Sequence, residues 1–375
     1  MKSHWLILFY SLSLLQGCKS GVKSGSNGAV PNGEADTVGY YSMEDFGKVA
    51  KIDAHVHVRT GDPTFLLLAR GDNFRLLSLS TDEAPGIQVQ DDYAARQMKA
   101  FPDVLAYATA FPVSNWHSKN WPEEAIAGLQ RAFARGASSV KIYKNIGMEL
   151  KDAGGKLVMI DDPRFDPVLD FLAEQHIPVT GHLGEPRNCW LPVEEMTISA
   201  DKRYFSRHPE FHMYRHPEFP SYEEQVGARD HMLEKHPGLK FVGAHLGSLE
   251  WSTGELAKRL DSFPNMAVDM AARISHLQLQ TMKDRQMVRD FFIRYQDRLL
   301  YGTDRIADVD SDPAAFRQHA HEAWLLDWRF FCTDETMQSP SFEGEFNGLK
   351  LPREVIDKIY RLNAEKWFPA LKGMK

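Results

Sequence analysis

From residue 49 onward, the chain alternates short runs of β-branched and apolar residues with longer stretches whose apolar residues recur at helical spacing. The short runs predict buried strands, and the longer stretches predict amphipathic helices. The predicted strands are residues 49–58, 74–80, 104–111, 138–143, 178–183, 240–246, 266–271 and 298–303. The predicted helices are residues 63–69, 91–100, 123–135, 163–175, 222–235, 253–260, 285–295, 313–331 and 351–368.

Eight strand–helix units over about 300 residues are typical of a single (β/α)8 TIM barrel of the α/β class. The pattern therefore predicts one barrel domain over residues 45–375, with the last helix packed on its outside. A long irregular segment, residues 184–221, interrupts the alternation after the fifth strand and predicts an insertion there. In such barrels the active site lies at the C-terminal ends of the strands.

The first 44 residues do not follow this pattern. Lys2 precedes a short apolar run at residues 5–15, which is too short to span a membrane and is typical of an export signal. Leu15-Gln-Gly-Cys18 resembles a bacterial lipobox, so we expect residues 1–18 to be a lipoprotein signal peptide that ends at Cys18. The alternative is an ordinary secretory signal.

Residues 21–32 are rich in Gly, Ser and Asn, so residues 19–44 are predicted to form a flexible tether.

The charge pattern narrows the class of partner. The formal net charge is -7, and the chain has no basic block or basic helix, which argues against nucleic acid as a partner. We expect a small-molecule substrate, and membrane contact only through a lipid anchor at Cys18. The expected location is the bacterial outer membrane or periplasm. The oligomeric state is not indicated.

Polar residues gather at the predicted ends of several strands. His55 and His57 lie two residues apart on the first strand, so alternation places them on one face together with Asp53. Two neighbouring imidazoles on a buried strand can bind one metal ion together. The other polar residues at strand ends are Lys141, Tyr143, Thr180, His182, His245 and Asp304. Because buried charges are costly unless they are paired or bound to metal, this set predicts a functional site at the barrel mouth.

The order of these residues resembles the amidohydrolase superfamily, and within it the second family, metal-dependent hydrolases related to aminocarboxymuconate-semialdehyde decarboxylase. The likeness rests on His55-x-His57, His182, Ala244-His-Leu-Gly247 and Gly302-Thr-Asp304. It implies one divalent ion held by His55, His57 and His182, with Asp304 coordinating or close by. It also implies that Asp304 takes a proton from a metal-bound water, while His245 acts as a general acid/base or orients that water.

Lys141 leaves the number of ions open. Val140-Lys-Ile-Tyr143 resembles the fourth-strand motif of dihydroorotases, in which the lysine is carbamylated and bridges two metals. In many members of the second family the lysine has no bridging role, and it would then neutralise a substrate carboxylate or an oxyanion. We expect one ion, or two if Lys141 is carbamylated. Zn²⁺ is the expected ion, and Mn²⁺ or Fe²⁺ would also fit.

The resemblance implies hydrolysis of a C–N or C–O bond in a small amide, cyclic amide, ester or lactone. The alternative is a lyase on the same scaffold, either a non-oxidative decarboxylase or a hydratase. A non-catalytic binding lipoprotein is disfavoured, because a degenerate relative would usually have lost a metal ligand.

Candidates for substrate binding are Tyr143 on the fourth strand and Arg187 and Trp190 in the insertion. An arginine soon after His182 can reach a substrate carboxylate. Further candidates at other strand ends are Lys144, Asn145 and Arg273. Asp269 and Arg273 share a face of the seventh strand, so the alternative to a functional role is that they pair with each other.

Overall fold

The computed structural model describes residues 39–374, and within this range nine parallel strands form one sheet. They are β1 (Lys51–Arg59), β2 (Phe74–Leu79), β3 (Leu105–Ala110), β4 (Ser139–Ile142), β5 (Val179–Gly181), β6 (Phe241–Gly243), β7 (Met266–Asp269), β8 (Leu299–Leu300) and β9 (Arg305–Asp308). Strands β1 to β8 are neighbours in chain order, and β9 pairs with β1. The predicted (β/α)8 TIM barrel is confirmed, with its eighth strand divided into β8 and β9.

The four residues between β8 and β9 close the barrel against β1. The amide of Ala54 donates to the oxygen of Tyr301 at 2.9 Å, and the amide of Asp304 donates to the oxygen of His55 at 2.8 Å. Asp304 has a φ of 65°, in the left-handed region, which interrupts the strand at this point. The interruption lets this segment bring the Asp304 side chain to the barrel mouth.

Helices surround the barrel strands, most of them on the outside and a few at its two ends. They are α1 (Thr64–Gly71), α2 (Ile87–Ala100), α3 (Trp121–Ala134), α4 (Asn145–Met148), α5 (Asp166–Glu174), α6 (Ser199–Arg207), α7 (Tyr222–Lys235), α8 (Ala244–Gly247), α9 (Thr253–Ser262), α10 (Ile274–Lys283), α11 (Arg285–Arg294), α12 (Pro313–Cys332), α13 (Arg353–Asp357) and α14 (Asn363–Trp367). The π-helical turn Lys358–Leu362 joins the last two. Each helix predicted from the pattern is present, with ends shifted by a few residues.

The pattern missed several elements, including the short helices α4 and α8 and also α6, which lies in the segment predicted to be irregular. Helix α10 buries the polar residues His276, Gln278 and Thr281 beside its apolar ones. Its sequence therefore lacks the apolar periodicity from which a helix is predicted. The antiparallel pair β10 (Thr336–Gln338) and β11 (Glu345–Asn347) is also absent from the prediction. In the range 39–374, no helix combines the length and apolar character needed to cross a membrane.

A bulge in β1 changes which side chains face the barrel interior. The pairing of β1 with β2 shifts register between Asp53 and Val56. Ala54 packs in the barrel interior, whereas Asp53 points outward and accepts a hydrogen bond from Trp324 Nε1 at 3.0 Å. The prediction that Asp53 shares the face of His55 is therefore wrong. A bulge inserts one residue and inverts the alternation beyond it, which brings the histidine pair inward.

Apolar side chains fill the barrel below the mouth. This layer consists of Ile52, Ala54, Leu77, Leu79, Ala106, Ala108, Val242, Ala267 and Leu300. Trp367, Phe368 and Leu371 pack against it and close the N-terminal end of the barrel. The last helix was predicted to pack on the outside of the barrel. This is correct for α13, whose Val355 and Ile356 lie in the outer core, but not for the residues at the chain end. Burial of the large Trp and Phe rings explains the difference.

The segment of residues 184–221, here called the mouth loop, contains short 3₁₀ turns and α6. Its own small core is made by Met148, Cys189, Met196, Phe205 and Met213. At the other end of the described chain, Tyr41 donates to Asp357 at 2.9 Å, so residues near the end of the predicted tether contact the barrel. The predicted signal peptide, Cys18 and residues 19–38 of the tether lie outside the described residues.

Candidate active site

A cavity of about 490 Å³ opens at the C-terminal ends of the strands. From the strand ends it is lined by His55, His57, Lys141, Tyr143, His182, His245 and Asp304. From the mouth loop it is lined by Ile198, Ala200, Asp201, Tyr204 and Phe205. The strand ends thus supply ionisable groups, while α6 and the residues before it supply a mixed apolar and polar wall.

The histidines of β1 are held by bonds from their Nδ1 atoms. His55 Nδ1 donates to Asp269 Oδ2 at 2.8 Å, and His57 Nδ1 donates to the oxygen of Leu79 at 2.7 Å. With the proton on Nδ1, each neutral ring turns the lone pair of Nε2 towards the cavity. Burial lowers the pKa of His57, which favours this neutral form.

His245 reaches the cavity through a left-handed turn rather than through strand alternation. Phe241 packs in the outer core, so regular alternation would also turn His245 outward. His245 and Leu246 each have a φ of 59°, and this turn after β6 redirects the ring inward. Its Nδ1 donates to the oxygen of Ala271 at 2.9 Å, and burial holds the pKa of the ring well below its ordinary value.

His182 follows β5 and stacks edge-on with His245 at 4.2 Å between ring centres. Burial lowers its pKa to about 4, so the ring is neutral at pH 7. Its Nε2 atom is buried, makes no hydrogen bond among residues 39–374 and lies 3.7 Å from Glu185 Oε2. A buried nitrogen that makes no hydrogen bond is available to a ligand.

Asp304 and Lys141 flank the histidine pair. Asp304 Oδ1 lies 3.3 Å from His55 Nε2 and 3.2 Å from His57 Nε2. Lys141 Nζ lies 3.3 Å from the same nitrogen of His55. Burial lowers the pKa of Lys141 to about 8, although the nearby carboxylates of Asp269 and Asp304 raise it. Its ammonium is therefore weakly held and close to equilibrium with the neutral amine at neutral to mildly basic pH.

The amidohydrolase family profile matches residues 52–370, which is most of the chain. The chain belongs to the amidohydrolase family. It is accordingly a metal-dependent enzyme of the amidohydrolase superfamily, and the resemblance read from its motifs is confirmed. A comparison with curated protein sequences finds no significant match.

Solved structures with the same fold include two decarboxylases. One is 2,6-dihydroxybenzoate decarboxylase from Rhizobium, which is 15% identical over 85% of this chain and 98% of that chain, with a TM-score of 0.53. The other is 5-carboxyvanillate decarboxylase from Novosphingobium aromaticivorans, solved with manganese and 4-hydroxy-3-methoxy-5-nitrobenzoic acid. It is 13% identical over 87% of this chain and 97% of that chain, with a TM-score of 0.50.

The donor set of this amidohydrolase fits a divalent ion. His55 Nε2 and His57 Nε2 each lie 3.2–3.3 Å from Asp304 Oδ1, and all three atoms are acceptors when the ring protons are on Nδ1. Lys141 Nζ can donate to His55 Nε2, and a bound cation would relieve the repulsion among the remaining lone pairs. Ligand atoms of His55, His245 and Asp304 lie within 4.8 Å of one another and form a candidate metal group. His245 is therefore close enough to be a ligand as well as an acid/base group.

Two residues predicted to bind substrate lie outside the cavity. The guanidinium of Arg187 stacks on Trp251 at 4.1 Å, and Trp190 donates from Nε1 to the oxygen of Pro220 at 3.1 Å. Both side chains are used to pack the mouth loop against the barrel. Tyr143, in contrast, lines the cavity and donates to Glu83 Oε2 at 2.6 Å.

The structure also adds residues that sequence reasoning missed or misplaced. Asp269 bonds His55 and not Arg273, which excludes the alternative that Asp269 and Arg273 pair with each other. Arg59 lies on the same face of β1 as His57, a signal that alternation could have provided, and it pairs with Glu83 in the cavity wall. Asp201, Tyr204 and Glu185 carry no such signal, because they lie in the irregular mouth loop.

Proposed function

We propose that the protein hydrolyses a C–N or C–O bond in a small amide, cyclic amide, ester or lactone. The observation that supports this proposal is the position of Asp304. Its carboxylate faces the cavity, is 30% exposed, and lies within 3.3 Å of both histidines of β1. A carboxylate in this position can accept a proton from an attacking water at Oδ1 and return it to the leaving nitrogen or oxygen.

A divalent ion belongs to this proposal because the donor set fits one. His55, His57, His182 and Asp304 would hold it, and Zn²⁺ suits such nitrogen and oxygen ligands. When bound, the ion supplies Lewis-acid activation of water and of the scissile carbonyl group. His245 lies beside His182 and Asp304, and it can orient the water or donate a proton to the leaving group.

Decarboxylation is the second candidate, and Lys141 is the observation that favours it. Lys141 is 1% exposed, has no carboxylate partner in the described chain, and reaches the cavity next to His55. A buried ammonium can hold a substrate carboxylate in place and then stabilise the negative charge that the departing CO₂ leaves on the substrate. Two proteins that share the fold are decarboxylases of hydroxybenzoates, which is consistent with this use of the scaffold.

The two reactions leave different products. Metal-loaded protein would be incubated in H₂¹⁸O with panels of lactones, cyclic amides and carboxylated phenols. Hydrolysis places ¹⁸O in the organic product and releases no CO₂ from the substrate, whereas decarboxylation releases CO₂ and leaves the organic product without the label. CO₂ release as the sole reaction would overturn the hydrolase proposal.

Asp304→Asn tests the role of the carboxylate. The variant keeps the size of the side chain but loses the proton acceptor, so turnover should fall by on the order of 10³-fold. Asp297→Asn, the same change at an exposed position before β8 and outside the cavity, is the matched control and should keep its activity. Normal turnover of folded, metal-loaded Asp304→Asn would rule out this mechanism.

For location, we propose an exported lipoprotein anchored through Cys18. The sequence support is the apolar run followed by the lipobox-like Leu15-Gln-Gly-Cys18. Native protein should partition with membranes, and Cys18→Ser should either appear in the soluble fraction or keep its uncleaved signal. Native protein found wholly in the cytosol with its signal intact would overturn the proposal.

A further inference from the structure

Four cationic side chains line the cavity, and three of them have partners. Arg59 pairs with Glu83, and Lys144 pairs with Glu185. Lys141 contacts His55 in the metal-ligand group. Arg273 differs from these three. Its only hydrogen bond within residues 39–374 runs from Nη1 to the backbone oxygen of Ala272, at 3.2 Å, and it forms no ion pair there.

Two carboxylates lie near Arg273, but neither forms an ion pair with it in the described chain. Asp201 lines the same cavity, and its Oδ2 atom accepts hydrogen bonds from Asn188 Nδ2 at 2.8 Å and from His276 Nε2 at 3.2 Å. Glu250 is buried, with Oε1 accepting from the amide of Arg187 at 2.8 Å and Oε2 without a hydrogen-bond partner among residues 39–374. Arg273 Nε is itself buried without a partner. A guanidinium normally uses several of its five donors, so this residue has unused hydrogen-bonding capacity.

The position of Arg273 in the fold adds to this local positive charge. Arg273 is the N-cap residue of α10, a ten-residue helix, and no side chain caps this helix end. Ser275 in the first turn also lines the cavity. The free N–H groups of a helix start attract anions, and a guanidinium beside them strengthens the attraction. One wall of the cavity therefore combines an arginine, a hydroxyl group and uncapped backbone amides.

We propose that Arg273 is a specificity-determining residue that binds a carboxylate of the substrate, remote from the bond that reacts. This inference rests on the proposed function, because it assigns the substrate class of the same cavity. The substrate is then a small carboxylate whose reactive bond lies at the histidine cluster and whose anionic group lies at the start of α10. Its carbon skeleton packs against the Tyr204 and Phe205 side of the cavity. The planar fork of arginine matches a carboxylate.

The test uses benzoate as an anionic probe and benzamide as its neutral counterpart, with binding measured by calorimetric titration. Metal-loaded and chelator-treated proteins are compared, because a carboxylate can also bind a metal ion directly. In both forms Arg273→Gln should bind benzoate roughly tenfold more weakly while benzamide binding is unchanged. Arg273→Lys, which keeps the charge but loses the fork, should bind benzoate with intermediate affinity.

Arg187→Gln is the matched control, since that arginine stacks on Trp251 outside the cavity, and it should bind benzoate like the native protein. Equal benzoate affinity in native and Arg273→Gln proteins, both folded by circular dichroism, would overturn the proposal. So would failure of chelator-treated native protein to bind benzoate. Because these are binding measurements, a failure of the hydrolase proposal appears separately, in the product assay.

Discussion

The two halves of the cavity wall are built in different ways. The half formed by the strand ends is held by the parallel sheet and by bonds behind it, such as His55 to Asp269 and His57 to Leu79. The half formed by the mouth loop rests on its small core and on the contact of Asp201 with His276. Reactive groups need fixed geometry, whereas substrate selection tolerates a more adaptable wall. We therefore expect substitutions of the histidines, Lys141 and Asp304 in the first half to abolish chemistry. Substitutions in the mouth loop, and of Arg273 at the start of α10, should instead alter substrate affinity.

The largest effect is expected when both histidines of β1 are removed. His55→Ala with His57→Ala should lose the divalent ion, and turnover should fall by on the order of 10³-fold or more. Elemental analysis of protein purified without chelator measures the loss. The control is His208→Ala with His216→Ala, which changes two mouth-loop histidines outside the cavity and should keep the ion. Full metal occupancy in the β1 variant would show that these histidines are not ligands.

Lys141→Met should have the next largest effect. If Lys141 is a free ammonium, the variant keeps its metal and loses turnover on the order of 10²-fold, mainly with anionic substrates. If Lys141 is a bridging carbamate, the variant loses about one ion instead, because a negative bridge between two cations disappears. Metal content and turnover measured on the same preparation separate the two schemes. Unchanged turnover with intact metal would contradict both.

In the mouth loop, Asp201→Ala should loosen α6 without removing metal. The change leaves Asn188 and His276 without their shared acceptor, which costs about 1–3 kcal/mol locally. Hydrogen exchange in Ser199–Arg207 should become faster, and KM should rise roughly tenfold with a smaller change in kcat. Glu195→Ala, at an exposed position of the same loop, is the control. Exchange rates equal to those of native protein would show that this contact does not hold the helix.

The smallest effect is expected behind the strand half, where Asp327 of α12 accepts a hydrogen bond from Tyr301 at 2.7 Å. Burial raises the pKa of Asp327 from 3.8 to about 7, although Tyr301 and Arg305 oppose the rise. The folded state then binds a proton that the unfolded state has released, so the free energy of unfolding should fall as pH rises from about 4 to about 7. Asp327→Asn should flatten this dependence in denaturant titrations. An unchanged slope would contradict the assignment.

The cavity residues at the strand ends could be predicted from the sequence, because the patterns that identify them span only a few neighbouring residues. Alternation and strand order were enough to nominate His57, Lys141, His182 and Asp304, and each of them lines the cavity. The barrel itself follows from the repeated strand–helix pattern, since each element must bury one apolar face against its neighbours. These properties depend on residues close together in sequence.

Tertiary structure alone decided the remaining features of the site. The bulge after Asp53 and the left-handed turn at His245 set which side chains face inward, and both depend on pairing with distant segments. Arg187 was nominated for the site and Asp201 was not, yet only Asp201 lines the cavity. The mouth loop has no periodic pattern, and the direction of each of its side chains is set by packing against residues far away in sequence. Local sequence therefore determined the reactive groups, while long-range packing determined the wall that selects the substrate.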